Sequence, residues 1–66
     1  LHSILSDREF ETFKLIIRGD SAKQIAMDLS ISDKTVSTYR SRILKKLHMK
    51  STADIIKYAI DHNLLD

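Results

Sequence analysis

The sequence has no cysteine, no proline and a single glycine, Gly19, among its 66 residues. Without cysteine, the chain has neither a disulfide framework nor a thiolate site for a metal ion. Proline and glycine are the residues that most often interrupt helices, and apolar residues recur in this chain at helical spacing. We therefore predict an all-α domain.

Long apolar runs are also missing from the sequence. No stretch approaches the roughly 18 residues of a membrane-spanning helix, and no signal-peptide pattern is present. We expect no membrane partner and a cytoplasmic location. A chain of this length forms one domain at most. Because it begins at Leu1 rather than methionine, we expect residues 1–66 to be a single domain cut from a longer protein.

Groups that perform catalysis or bind metals are few and scattered. His2, His48 and His62 show no metal-ligand spacing, and no pair of carboxylates shares a helix face within an evident cleft. There is no glycine-rich phosphate loop, and no serine or threonine has a histidine and an acid placed near it. We predict that the protein is not an enzyme, and that it has no cofactor, no metal site and no small-molecule substrate.

Acidic residues are absent from one segment, Lys34–Lys50, which contains six lysine or arginine residues. The rest of the chain has five basic and nine acidic residues. The formal net charge of +2 therefore combines a segment of +6 with a remainder of −4. This concentration of positive charge indicates a contact with nucleic acid.

Read as a helix at 100° per residue, residues 33–47 separate into two faces. The packing stripe contains Val36, Arg40, Ile43 and Leu47, flanked by Tyr39 and Leu44. The opposite face contains Lys34, Thr38, Ser41 and Lys45, flanked by Ser37 and Arg42. An ordinary solvated face is the alternative interpretation, but such faces mix glutamate with lysine to form i,i+4 pairs. Short hydroxyl side chains among cations suit base edges in a DNA major groove.

Four serines mark the predicted helix starts: Ser6, Ser21, Ser32 and Ser51. Glu9, Gln24 and Asp54 follow three of them at the third helical position, where such side chains complete a capping motif. The first three helices are predicted to run to about Arg18, Asp28 and Leu47. Gly19 and Asn63 suit left-handed exits from the first and fourth helices.

The second and third helices, joined by a turn of about three residues, indicate a helix-turn-helix. Ala26 permits a close approach of the two helix axes, and Val36 fills the angle between them. Ser30 stands at a corner where glycine is common, so we expect left-handed strain there.

The predicted core draws on the remaining helices. The first contributes Phe10, Phe13, Ile16 and Ile17, the second Ile25, Ala26 and Leu29, and the fourth Ile56, Ala59 and Ile60, before Leu64 and Leu65 fold back. Ala53, Ile55 and Tyr58 widen the apolar surface of the fourth helix. Such width indicates either contact on two sides or an interface with another molecule.

These motifs, in this order, resemble the LuxR-type helix-turn-helix domain of the NarL/FixJ response regulators. The matching stretches are Leu5-Ser6-x-Arg8-Glu9, Gly19-x-Ser21-x-Lys23-x-Ile25-Ala26, Ile31-Ser32-x-Lys34-Thr35-Val36-Ser37-x-Tyr39, Ile43-x-x-Lys46-Leu47 and Tyr58-Ala59-Ile60. The resemblance covers nearly the whole chain. Two residues depart from it: Ala22 stands where the family usually has asparagine, and His48 where it usually has glycine.

The resemblance implies the C-terminal effector domain of a two-component transcription regulator, preceded by a receiver domain. It implies base-reading positions at Ser37, Thr38 and Ser41. It implies contacts with the DNA phosphate backbone at Lys23, Thr35, Tyr39, Arg42, Lys45 and Lys50. We add Lys34 to this set because it lies on the basic face. It implies a dimer contact at Ala53, Asp54 and Lys57. The expected partners are double-stranded DNA, a second copy of the chain on paired half-sites, and RNA polymerase.

We therefore predict sequence-specific DNA binding, with helix 33–47 in the major groove and the second helix across the DNA backbone. One alternative is a sigma-factor-like promoter-recognition domain, which has the same three-helix core but is disfavoured by the wide fourth helix. The other is a small protein-interaction module whose basic face docks an acidic partner.

Overall fold

The computed structural model describes residues 2–64, which form a short 3-10 turn and four α-helices. The turn is His2–Ile4, and the helices are α1 (Asp7–Ile17), α2 (Ala22–Leu29), α3 (Asp33–Lys46) and α4 (Thr52–Asp61). No β-strand occurs in this part of the chain. The predicted all-α, four-helix class is confirmed.

Serine side chains cap three of the four helices as predicted. At α1, Ser6 Oγ accepts from the Glu9 N–H at 3.2 Å while Glu9 Oε1 accepts from the Ser6 N–H at 2.9 Å. Ser21 Oγ and Ser32 Oγ each accept from a backbone N–H three residues later at 3.1 Å. The prediction was wrong for the side chain of Ser51, which makes no capping bond. Asp54 Oδ2 accepts instead from the Lys50 N–H at 2.9 Å.

Each of the four helices is followed, one or two positions after its last residue, by a residue in the left-handed region with φ between 55° and 91°, namely Gly19, Ser30, His48 and Asn63. After each, the next N–H returns to a carbonyl five residues earlier, as in Ile31 to Ala26 and Met49 to Leu44, at 2.8–3.2 Å. These bonds satisfy carbonyls that helix ends leave free. Because only Gly19 lacks a Cβ, the other three corners carry strain of about 1–2 kcal/mol each.

One core lies where α1 packs against the other three helices and α2 packs against α3. Its buried apolar side chains are Phe13, Ile16, Ile17, Ile25, Ala26, Val36, Ile43, Leu47, Ile55, Tyr58 and Ala59. Phe10, Leu29 and Leu64 are half-buried against it. The core also contains two polar residues that the spacing did not predict, Glu9 and Thr12. Leu65 lies outside the described residues.

The predicted inner stripe of α4 was right for Ala59 but wrong for Ile56 and Ile60. Ile60 is 58% exposed and Ile56 is half-buried, whereas Ile55, Tyr58 and Ala59 are buried. Apolar residues occupy two adjacent stripes of this helix, so spacing alone does not choose between them. The Tyr58 ring identifies the stripe that packs inward, because it lies edge-on against Phe13 with ring centroids 6.2 Å apart.

Arg40 was also misassigned, because the sequence placed it in the packing stripe of α3. Its side chain is exposed, and Nη1 donates to Thr52 Oγ1 at the start of α4 across 3.3 Å. A guanidinium keeps its hydration or a polar partner rather than entering an apolar core. The stripe that packs is therefore Val36, Ile43 and Leu47.

Candidate nucleic-acid interface

The corner between α2 and α3 sets the position of α3 against α2. Ser30 has φ 57° and ψ 44°, and the Ser30 N–H donates to the carbonyls of Ala26 and Met27. Ala26 of α2 and Val36 of α3 are both buried, and the two helices pack against each other. The small residue allows the axes to approach, and the β-branched residue fills the space between them. The predicted helix-turn-helix geometry is confirmed.

The three predicted base-reading residues lie together on the exposed side of α3. We call Ser37, Thr38 and Ser41 the reading face; all three are exposed, while Val36 and Ile43 on the other side of the helix are buried. Thr38 Oγ1 donates to the Lys34 carbonyl at 3.1 Å. Within residues 2–64, the hydroxyls of Ser37 and Ser41 have no hydrogen-bond partner. The reading face therefore presents short polar groups to its surroundings.

Cations surround this face without neutralising partners. Five basic side chains from the acid-free segment are exposed and form no ion pair among the described residues: Lys34, Arg40, Arg42, Lys45 and Lys50. Arg40 differs from the other four because it already bonds to Thr52. Lys23 is exposed in the first turn of α2, where free backbone N–H groups also favour an anion.

The two remaining predicted phosphate contacts, Thr35 and Tyr39, are only half-buried. Thr35 Oγ1 lies 2.9 Å from Ser32 Oγ, so its hydroxyl already forms part of the α3 cap. The side chains of both residues lie at the edge between the core and the surface. A long or polar side chain at such an edge can pack its stem and still reach a phosphate.

Lys46 differs from the other cations of the segment, because its ammonium group bonds to a buried carboxylate. Nζ lies 2.7 Å from Glu9 Oε1, and Glu9 is only 3% exposed. The pKa of Glu9 is lowered, chiefly by the Lys46 hydrogen bond and then by the backbone N–H of Ser6, although burial acts in the opposite direction. Lys46 thus joins the end of α3 to the start of α1.

The spacing of Ser6 and Glu9 predicted the capping role of Glu9 but not its pair with Lys46. The partners are 37 residues apart, and no local spacing indicates such a contact. The signal that was available is that Glu9 lies in the first turn of α1, on an inner face that is mostly apolar.

The predicted dimer contact occupies the outer side of α4. Ala53 and Lys57 are exposed, whereas Asp54 is half-buried and engaged with the Lys50 N–H. Ile60, at helical spacing from Ala53 and Lys57, is exposed on the same side. The outer side of α4 therefore has more apolar surface than the sequence analysis assigned to it.

The described residues have neither a membrane-spanning helix nor a cluster of metal ligands. No helix in residues 2–64 is both long enough and apolar enough to cross a membrane. The same residues contain no group of three or more His, Cys, Asp or Glu side chains arranged to hold a metal ion.

A left-handed corner between two packed helices, followed by a helix with an exposed, acid-free, hydroxyl-bearing face, defines a helix-turn-helix DNA-binding domain. Comparison with known proteins agrees with this class. The family described as bacterial regulatory proteins, luxR family, matches residues 3–59. The chain belongs to this family, and the predicted resemblance is confirmed.

Individual relatives cover almost the whole chain. It is 46% identical over 61 residues to a transcriptional regulator of Pseudomonas aeruginosa, covering 92% of this chain and 30% of the relative. It is 43% identical over 63 residues to the oxygen regulatory protein NreC of Staphylococcus carnosus, covering 96% and 29%. It is 44% identical over 64 residues to the virulence-factor transcription regulator BvgA of Bordetella pertussis, covering 97% and 31%.

The chain therefore spans about three tenths of the length of the curated relatives that it matches. It is the DNA-binding domain of a bacterial transcription regulator, and the family is one of regulators rather than enzymes. Family membership favours this function over the sigma-factor-like and protein-interaction alternatives.

Proposed function

We propose that this domain binds DNA sequence-specifically, with α3 in the major groove and α2 across the backbone. One observation carries the proposal: the exposed side of α3 has hydroxyls at its centre, cations around them and no acid from Lys34 to Lys50. Base edges in the major groove offer both donors and acceptors, which short hydroxyls match. Phosphates on either side of the groove match the cations.

The phosphate contacts in this arrangement come from exposed cations of α3, from Lys50 in the segment after α3 and from Lys23 of α2. Lys34, Arg42, Lys45 and Lys50 are available because none has an internal ion pair among the described residues. Thr35 and Tyr39, at the core edge, supply neutral contacts of shorter reach. Phosphate contacts fix the position of the domain on the duplex, and the reading face supplies the sequence preference.

We further propose that two copies pair through the outer side of α4 when they occupy adjacent half-sites. Ala53 and Lys57 are exposed there, and the 58% exposed Ile60 adds apolar area. One side of a ten-residue helix buries too little surface for a tight dimer without DNA. Sedimentation of the free domain should therefore show monomers at micromolar concentration. A stable dimer in that experiment, or non-cooperative binding to paired sites, would contradict this part of the proposal.

The longer protein is, on this proposal, a cytoplasmic two-component regulator whose receiver domain controls the effector and which acts on RNA polymerase at promoters. Support comes from the relatives, two of which bear the names oxygen regulatory protein and virulence-factor transcription regulator. Their length leaves room for a further domain beyond the part that this chain matches.

Selection of bound duplexes from a random pool, followed by titration of the selected site at several salt concentrations, tests the proposed function. We expect one preferred half-site and an affinity that falls steeply as salt rises, because phosphate contacts release counterions. Ser41→Ala should reduce the preference at one or two base pairs without changing the thermal midpoint. Binding that is weak, insensitive to salt and equal for all sequences would point to the protein-interaction module instead.

A further inference from the structure

The three hydroxyls of the reading face differ in what they can offer to a base. Thr38 Oγ1 donates its proton to the Lys34 carbonyl at 3.1 Å. Ser37 and Ser41 have no such bond within the described part of the chain, so either hydroxyl can turn to donate or to accept. Thr38 is the member of the reading face whose hydrogen-bonding direction is already fixed.

The same bond fixes the methyl group of Thr38. Oγ1 and the methyl carbon are both attached to Cβ, so holding the oxygen against the Lys34 carbonyl restricts rotation about χ1 and holds the methyl group too. With its proton engaged, the oxygen keeps lone pairs that can accept a hydrogen bond. Thr38 thus presents an acceptor and an apolar group side by side, on a helix backbone held by the buried Val36 and Ile43.

We infer that Thr38 selects an A·T base pair. In the major groove, this pair offers the adenine N6 amino group as a donor and the thymine C5 methyl as an apolar contact. A G·C pair also offers an amino donor, cytosine N4, but it has no methyl group, so it cannot satisfy the acceptor and the apolar group of Thr38 together. The inference rests on the proposed function, since it requires α3 to lie in the major groove.

The experiment uses the half-site selected from a random duplex pool, with single atoms of its bases removed. Deoxyuridine in place of thymidine removes the methyl group, and 2-aminopurine in place of adenine removes the amino donor from the major groove while keeping the pair. We expect roughly fourfold weaker binding for loss of the methyl contact. For loss of one hydrogen bond we expect roughly fivefold weaker binding. Both effects should occur at one A·T pair only.

Two variants each remove one of the two contacting groups of Thr38, just as the two base analogues each remove one group of the base pair. Thr38→Ser keeps the oxygen and loses the methyl, so its affinity should respond to 2-aminopurine but not to deoxyuridine. Thr38→Val keeps the shape and loses the acceptor, so its affinity should respond to deoxyuridine but not to 2-aminopurine. Ser41→Ala is the matched control from the reading face and should respond to both analogues as the original protein does. Thermal midpoints verify that each variant is folded.

The outcomes separate failure of the inference from failure of the proposed function. If no salt-sensitive, sequence-dependent binding is selected, α3 does not read DNA and both fall. If a preferred site is selected but both Thr38 variants respond to both analogues, the inference alone is overturned. The same conclusion follows if the base pair that depends on Thr38 is G·C. The crossed pattern of responses at one A·T pair supports the inference.

Discussion

Lys45 and Lys46 are neighbours in the chain but belong to two different regions of α3. Lys45 is exposed on the same side as the reading face and has no ion pair among the described residues. Lys46 Nζ lies 2.7 Å from the carboxylate of Glu9, which is buried in the first turn of α1. A count of charges treats the two lysines alike. Their surroundings differ: Lys45 has no ion pair among the described residues, while Lys46 holds α3 against α1.

The largest effect that we expect is on stability. Substitutions on the buried side of α3 should lower the free energy of unfolding much more than substitutions on its exposed side. Ile43 is fully buried, so Ile43→Ala should lower the free energy of unfolding by about 2–5 kcal/mol through lost burial and a cavity. Ser41→Ala, two residues away on the exposed side, should change it by less than about 0.5 kcal/mol. Urea denaturation measures both.

A domain this small has little stability to lose, so a milder change at the same position accompanies Ile43→Ala. Ile43→Val should cost about 0.5–1.5 kcal/mol and leave the domain folded. If Ile43→Val and Ser41→Ala have equal effects on stability, the two sides of α3 are not as described.

The pair of Glu9 and Lys46 should show an intermediate effect. Glu9→Gln keeps an acceptor near the Ser6 N–H but removes the charge from the contact with Lys46, so we expect a loss of about 1–2 kcal/mol in the free energy of unfolding. The matched control is Glu11→Gln, because Glu11 forms an exposed pair with Arg8 at 3.5 Å. Surface pairs contribute about 0–1 kcal/mol, so the control should change little. Equal losses in the free energy of unfolding for Glu9→Gln and Glu11→Gln would contradict a stabilising role for the contact between Glu9 and Lys46.

Acid should weaken the same contact. The pKa of Glu9 is lowered from its ordinary value of 4.5, so the unfolded chain takes up a proton at Glu9 before the folded protein does. The stabilising contribution is present above about pH 4.5 and is lost as the pH falls through the lowered folded pKa. The difference in stability between the original protein and Glu9→Gln should therefore shrink on acidification. A difference that stays constant from about pH 6 to about pH 3 would contradict this linkage.

Features that depend on neighbouring residues were predictable from the sequence. The caps at Ser6, Ser21 and Ser32 and the left-handed corner at Ser30 each follow from residues within one or two helical turns. The division of α3 into two faces was predictable for the same reason, since helical periodicity places Thr38 opposite Val36.

Features that depend on distant partners were not predictable. Apolar residues on two stripes of α4 allowed two packings, and the contact between Tyr58 and Phe13 selects the one that leaves Ile60 exposed. Arg40 fitted the packing stripe by spacing, but its bond to Thr52 depends on where α4 begins. Glu9 and Lys46 lie 37 residues apart, in α1 and α3, so only the tertiary structure reveals that they pair.

The most direct test of the account compares the salt dependence of DNA binding for Lys45→Ala and Lys46→Met. Affinity for the selected site is measured at several salt concentrations, and the slope of log K against log salt counts the phosphates that are neutralised. Lys45→Ala should reduce the magnitude of the slope by about 0.9, because one phosphate contact is lost. Lys46→Met should lower the thermal midpoint but leave the slope of the folded protein unchanged. A reduced slope for Lys46→Met together with an unchanged slope for Lys45→Ala would contradict the assignment of the two sides of α3.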